Sequence, residues 1–158
     1  MSRNHEKLRV FQDAHQLTLA IYRRTKEFPR EGWFGIRVQM RRAAVSIASN
    51  IVEGNARGTT RDYLRFLHMA LGSGCELKYL AELTGELGYA SGPEWAHVVS
   101  RSEAVVKQLQ RLVQRMEQLS AEEAANRRRT NREQRMGQET EDQRPETGDQ
   151  ILRITPSD

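Results

Sequence analysis

Apolar residues recur along the chain at helical rather than strand spacing. Phe11, Ala14, Leu17, Ile21 and Thr25 follow one another at intervals of three and four, the repeat that gathers side chains on one face of a helix. The spacing predicts a first helix from about Phe11 to Glu27. Pro29 ends it, because the residue before a proline avoids helical geometry. A second helix is predicted from about Phe34 to Glu53, with Gly54 as its C-terminal glycine. A third runs from near Thr60 to about Leu87 and closes at Gly88. The fourth opens at Ser91-Gly92-Pro93-Glu94, a capping-box spacing with proline in the first turn. Its ladder is the most regular: Trp95, Val98, Val99, Val105, Val106, Leu109, Leu112, Val113, Met116 and Leu119. Strand patterns are nearly absent. Loops of roughly four to six residues favour antiparallel neighbours. The expected fold is therefore all-α, an antiparallel up-down-up-down four-helix bundle over residues 1–120.

The second helix is apolar on two sides. At about 100° per residue, Ile36, Met40, Ala43, Ala44, Ile47 and Ile51 fall within one arc, and Val38, Val45 and Val52 on roughly the opposite side. A bundle helix in a monomer needs one covered stripe. The valines therefore predict an oligomer interface; a wide core face within one chain is the competing reading. In the third helix Tyr63, Leu67, Ala70, Gly74, Leu77, Ala81 and Thr84 form the inward row, beside Phe66, Met69, Ser73, Leu80 and Leu83. A glycine inside a helix costs about 1 kcal/mol relative to alanine. Gly72 and Gly74 thus point to close helix–helix approach, with a helix break at Gly72 as the alternative.

Residues 121–158 are different material: charged, glutamine-rich and poor in apolar side chains. Such a segment buries too little to offset its ordering entropy, so a disordered tail is expected, the fourth helix fraying on through Ala124 and Ala125. Ile151-Leu152-Arg153-Ile154 is a small apolar island in it. Residues 1–120 hold 18 Lys+Arg against 12 Asp+Glu, and residues 121–158 hold 7 against 9. The body is thus basic, which suits phosphate-rich partners, although arginines also simply solvate helix faces. The longest uncharged stretch, Ala43 to Val52, contains two serines and an asparagine, which argues against a membrane span. No signal-peptide core stands at the N-terminus. The single cysteine, Cys75, fits a reducing cytoplasm and reads as a small packing residue.

The candidate chemistry is mostly arginine. Arg37, Arg41 and Arg42 sit on the second helix, with Arg57, Arg61 and Arg65 around the following turn. Arg37/Arg41 and Arg61/Arg65 are four apart, each pair on one helical face. Repeated in an oligomer, the set would form a multivalent phosphate-binding ring. The competing reading pairs Arg41 or Arg42 with Glu53 or Glu76 between helices. No aromatic residue interleaves with the arginines, so base stacking is unsupported. Catalysis has little to work with. The four histidines are scattered, and no pair has metal-ligand spacing on one face. Gly72-Ser73-Gly74 lacks the strand and full pattern of a nucleophile elbow. Gly54-Asn55-Ala56-Arg57-Gly58 lacks the lysine of a phosphate loop and reads as a turn. No motif calls for a cofactor.

Arg41-Arg42-Ala43-Ala44-Val45-Ser46-Ile47 with Asn50-Ile51-Val52-Glu53-Gly54 resembles the signature of a bacterial four-helix-bundle family. That family includes proteins encoded within intervening sequences of large-subunit ribosomal RNA genes, and it is similar to the accessory proteins of diversity-generating retroelements. Further matching pieces are Val10-Phe11-Gln12-Asp13-Ala14-His15, Tyr22 to Pro29, Phe34-Gly35-Ile36, Phe66-Leu67, Gly72-Ser73 and Glu76-Leu77. The likeness covers roughly residues 8–119. It implies a bundle that assembles as a homopentamer. The retroelement relatives imply partners too, namely RNA or DNA and a reverse transcriptase. Ala48 stands where the family usually has proline, which would straighten the second helix. Gly32 stands where an acidic residue is common. The expected function is a non-enzymatic oligomeric bundle, a nucleic-acid-associated accessory protein; the alternative is a protein-interaction scaffold.

Overall fold

A computed structural model of the chain describes residues 5–30 and 34–142, with side chains as far as Arg135. After a 3₁₀ turn at His5–Lys7 come four helices: α1 (Arg9–Arg24), α2 (Ile36–Asn55), α3 (Thr60–Glu86) and α4 (Gly92–Asp142). No strand occurs among the described residues. The chain divides into two compact units, Met1–Ala121 and Glu122–Asp158.

Side-chain contacts fix the direction of each helix in the first unit. Thr18 of α1 donates to the Ala44 carbonyl of α2, and Thr25 meets Arg41, so α1 and α2 run antiparallel. Met40 meets Thr84 and Ser46 meets Ser73, which reverses α3 against α2. Trp95 Nε1 donates to the Ala81 carbonyl while His68 faces Glu117, which reverses α4 against α3. Gln108 bonds to Asp13, and Glu94 pairs with Arg24, closing the ring between α4 and α1. The bundle is up-down-up-down.

The core follows the sequence periodicity closely. Ala14, Leu17 and Ile21 are buried on α1 and Thr25 at its C-terminal cap, as are Met40, Ala43, Ala44, Ile47 and Ile51 on α2. All seven inward positions of α3 are buried. Trp95, Val98, Val105, Val106, Leu109, Val113 and Met116 carry the ladder of α4. Phe28 packs edge-on against Trp95 at 5.6 Å between ring centres and closes the end of the bundle. Ser102 is buried too, donating to the Val99 carbonyl of its own helix, which is how a lone hydroxyl is tolerated in a core.

Helix ends differ in part from expectation. Gly54 does not terminate α2. It lies buried within the last turn, where an added Cβ would stand 2.7 Å from the Cβ of Phe66 and 3.0 Å from the Tyr63 ring. It is there for the close approach of α2 and α3. Gly88 does close α3, at φ +71. Its amide bonds to Gly85 O and the Tyr89 amide to Thr84 O, the paired bonds of a glycine-terminated helix. Thr59 caps α3, accepting from the Asp62 amide at 3.1 Å. The capping-box spacing before α4 goes unused, because the Glu94 carboxylate turns to Arg24. Gly74 packs against Val106 and Leu109 as the close-approach argument requires, but Gly72 faces open space in an unbroken helix.

In the second unit α4 remains helical to Asp142, where disorder was expected beyond Ala125. Every described side chain from Glu122 to Arg135 is exposed. The helix is supported locally, by Arg129 on Glu133 at 2.9 Å and by strong helix formers. The expectation for residues 143–158, including the island at 151–154, lies outside the described residues.

Candidate interface on the second and third helices

The outer side of α2 carries the valine stripe. Val38, Val45 and Val52 are 42, 41 and 37% exposed, on the side away from a core that Met40, Ala44, Ile47 and Ile51 fill. They are not a wide core face of one chain. Tyr22 of α1 flanks the stripe, exposed, and Met69 of α3 is exposed as well. Tyr22, Val38, Arg41, Arg42, Val45 and Ser46 line an open groove of about 470 Å³. Gly72 lies one turn beyond Met69 and leaves the surface of α3 low at that point.

The arginines separate by role and place. Arg41 belongs to the fold. Its Nε donates to Thr25 Oγ1 at 2.9 Å, a terminal nitrogen donates to the Tyr22 carbonyl at 3.2 Å, and its guanidinium lies 4.8 Å over the Tyr22 ring. A cation against the last turn of α1 answers carbonyls that have no helical partner. The interhelix pairing of Arg41 or Arg42 with Glu53 or Glu76 does not form. Arg37 is half-buried. Arg57 stacks 4.5 Å over the Phe66 ring and ties the turn to α3. Arg42, Arg61 and Arg65 are exposed and meet no acidic side chain among the described residues. Arg37, Arg41 and Arg42 lie toward the start of α2, whereas Arg57, Arg61 and Arg65 gather at its far end, about 20 Å away at 1.5 Å per residue. Within one protomer the six do not form a single patch.

The model for the family described as 23S rRNA-intervening sequence protein matches residues 6–111. The chain belongs to this family. A solved structure from Bacteroides thetaiotaomicron, described as a protein with unknown function from the S23 ribosomal protein family, is similar in fold. It shares 21% identity at a TM-score of 0.61, over 66% of this chain and 97% of that chain. No curated protein matches the chain.

Periodicity alone does not reveal a polar seam in this member of the family. Ser46 and Ser73 share a hydrogen bond of 2.8 Å between α2 and α3, Asn50 donates to the Ser46 carbonyl at 2.8 Å, and Ser73 donates to the Met69 carbonyl at 3.0 Å. Ser46, four residues before Asn50 on a helix flank, was the available signal. The small hydroxyls let the two backbones approach and still satisfy one another. Ala48 sits half-buried in an uninterrupted α2, which stays helical through the position where proline is usual. Gly32 lies outside the described residues. Cys75 is exposed, so it is not a packing residue. No described helix is long and apolar enough to cross a membrane.

Proposed function

We propose that this protein works in the cytoplasm as a non-enzymatic, homo-oligomeric bundle that binds the phosphates of RNA or DNA. The observation that carries the reading is the trio Arg42, Arg61 and Arg65, exposed and without acidic partners among the described residues, on α2, which carries the exposed valine stripe, and on the adjoining α3. Apolar side chains in a row on an outer helix face favour a second copy as their cover. The resemblance of the sequence motifs to the bacterial bundle family favours five as the number of copies. Each copy added by such an interface repeats the arginines, and phosphate contacts that are weak singly add up when several engage one polyanion. Without aromatic residues among the arginines, the binding is expected to be indifferent to base sequence.

Gel-shift titration with generic RNA at rising salt tests the phosphate reading. The expected result is binding at low salt that weakens steeply as salt rises, and that weakens further in R61E/R65E. No binding at low salt rejects the reading. Analytical ultracentrifugation at micromolar concentration tests the assembly. Wild type is expected as an oligomer and Val45→Glu as smaller species, because burying a carboxylate in an apolar interface is costly. A monomeric wild type rejects the oligomer and the repeated arginines with it.

A further inference from the structure

The segment of α4 in the second unit has a polarity that its composition hides. Residues 126–135 contain five arginines and one acid, Glu133. At about 100° per residue, Arg128, Arg132 and Arg135 fall within an arc of about 60°. Glu122, Glu123 and Glu133 lie about 80° or more from each of them around the helix. Arg129, toward the acidic side, is held by Glu133. Arg128, Arg132 and Arg135 are exposed and meet no acidic side chain among those described. Ala124 and Ala125 precede them on the same side and shield nothing. Past Arg135 the register brings Glu139 and Asp142 onto this side, so the stripe is confined to residues 128–135.

We propose that this stripe is a second, separate nucleic-acid contact, in which the exposed helix lies in the major groove of duplex DNA with its arginines on the flanking phosphates. The other occupants of a helix face fit poorly. A coiled-coil partner needs apolar positions every three or four residues, and residues 122–135 offer only two alanines. A membrane surface needs large apolar or aromatic side chains opposite the basic ones, and the opposite side here is acidic. A polyanion needs neither. Duplex DNA presents one negative charge per ~1.7 Å of axis, and three guanidiniums spread over about 10 Å of helix meet several of them. A helix with its side chains is about 10–12 Å across, which fits a major groove about 12 Å wide. The deep groove of an RNA duplex is too narrow to admit it.

The inference deepens the nucleic-acid reading of the bundle but rests on different residues, outside the region that matches the family. Fluorescence anisotropy with a labelled 20-base-pair DNA duplex, and an RNA duplex of the same sequence, tests it on the full-length chain. Wild type, R128Q/R132Q/R135Q and R61E/R65E are compared from 50 to 200 mM salt. Glutamine keeps helix propensity, and helical circular dichroism checks the fold. The expected result is a DNA salt slope shallower by roughly 2–3 in the triple variant, since each phosphate contact contributes about 0.9. RNA duplex binding is expected to change little in that variant. A triple variant that retains the wild-type DNA slope overturns the inference, and R61E/R65E alone losing affinity then leaves the bundle reading standing. Equal loss on DNA and RNA overturns the groove assignment. Loss in the triple variant with none in R61E/R65E supports the stripe and rejects those two bundle arginines.

Discussion

Trp95 to Met116 and Glu122 to Arg135 are stretches of the same helix, α4, with different reasons for being helical. The first presents an apolar ladder to α1 and α3, and seven apolar side chains and Ser102 are buried along it. The second is exposed at every described position and buries nothing. In the first stretch the identity of a residue reports what it packs against, so Leu109 and Val106 are explained by Gly74 across the interface. In the second no packing constraint acts, and the choice of residue reports charge and helix propensity. An arginine in the bundle has therefore to be tested for a structural duty before it is credited with binding. Arg41, spent on the end of α1, shows why. In the exposed stretch only local acids need to be discounted, as Glu133 is for Arg129.

The contrast can be broken most forcefully in the core. Leu109→Ala, at a fully buried site, is expected to lower stability by about 2–5 kcal/mol, measured by urea unfolding at fixed protein concentration. The same truncation at Arg132 is expected to stay within about 0.5 kcal/mol; comparable losses at the two sites would mean the exposed stretch is packed after all. The glycines sharpen the distinction next. Gly54→Ala puts a methyl group against Phe66 and Tyr63 and is expected to cost about 1–3 kcal/mol. Gly72→Ala meets open space and is expected to gain up to about 1 kcal/mol from helix propensity. A clear loss at Gly72, together with altered sedimentation, would identify it as a contact between copies.

Smaller again is the pair that helps hold the exposed stretch. Arg129→Ala removes the bond to Glu133 and is expected to change helical circular dichroism slightly, with a local cost of about 0.3–0.5 kcal/mol, while the main unfolding transition stays in place. The smallest effect concerns pH. The Lys107 ammonium, hydrogen-bonded to Glu103, holds that carboxyl below its ordinary 4.5. The pair's contribution is therefore present above about pH 4.5 and fades as pH falls through the lowered value. Glu82, hydrogen-bonded to Lys78, raises the lysine above 10.5, so that contribution is present below pH 10.5 and fades above it. Both groups are open to solvent, and screening keeps the effects small. Glu103→Gln should show a slight destabilisation at pH 7 that disappears in acid; a deficit that grows in acid would contradict this sign.

Much of the site could be read from residue spacing, and the part that could not has a common cause. That the valines face away from the core follows from their position opposite Met40, Ile47 and Ile51, because a helix fixes relative direction by residue number. That Arg41 is spent while Arg42 meets no acidic side chain among the described residues does not follow, because their angular positions on α2 say nothing of Tyr22 and Thr25 at the end of α1. Gly72 and Gly74 show the same limit. Two residues apart on one helix, they face opposite ways, and only Gly74 has Val106 across from it.

The sequence by itself determined the number of helices, the inward row of each and the unfilled stripe on α2, since these depend on the 3.6-residue repeat and on local turn chemistry. Only the tertiary structure decided which arginines bind the protein's own backbone and rings, that Gly54 brings two helices together rather than ending one, and that Ser46 and Ser73 satisfy each other. Each of those depends on atoms far apart in the chain being placed within a few ångströms, a distance that periodicity along one helix does not contain.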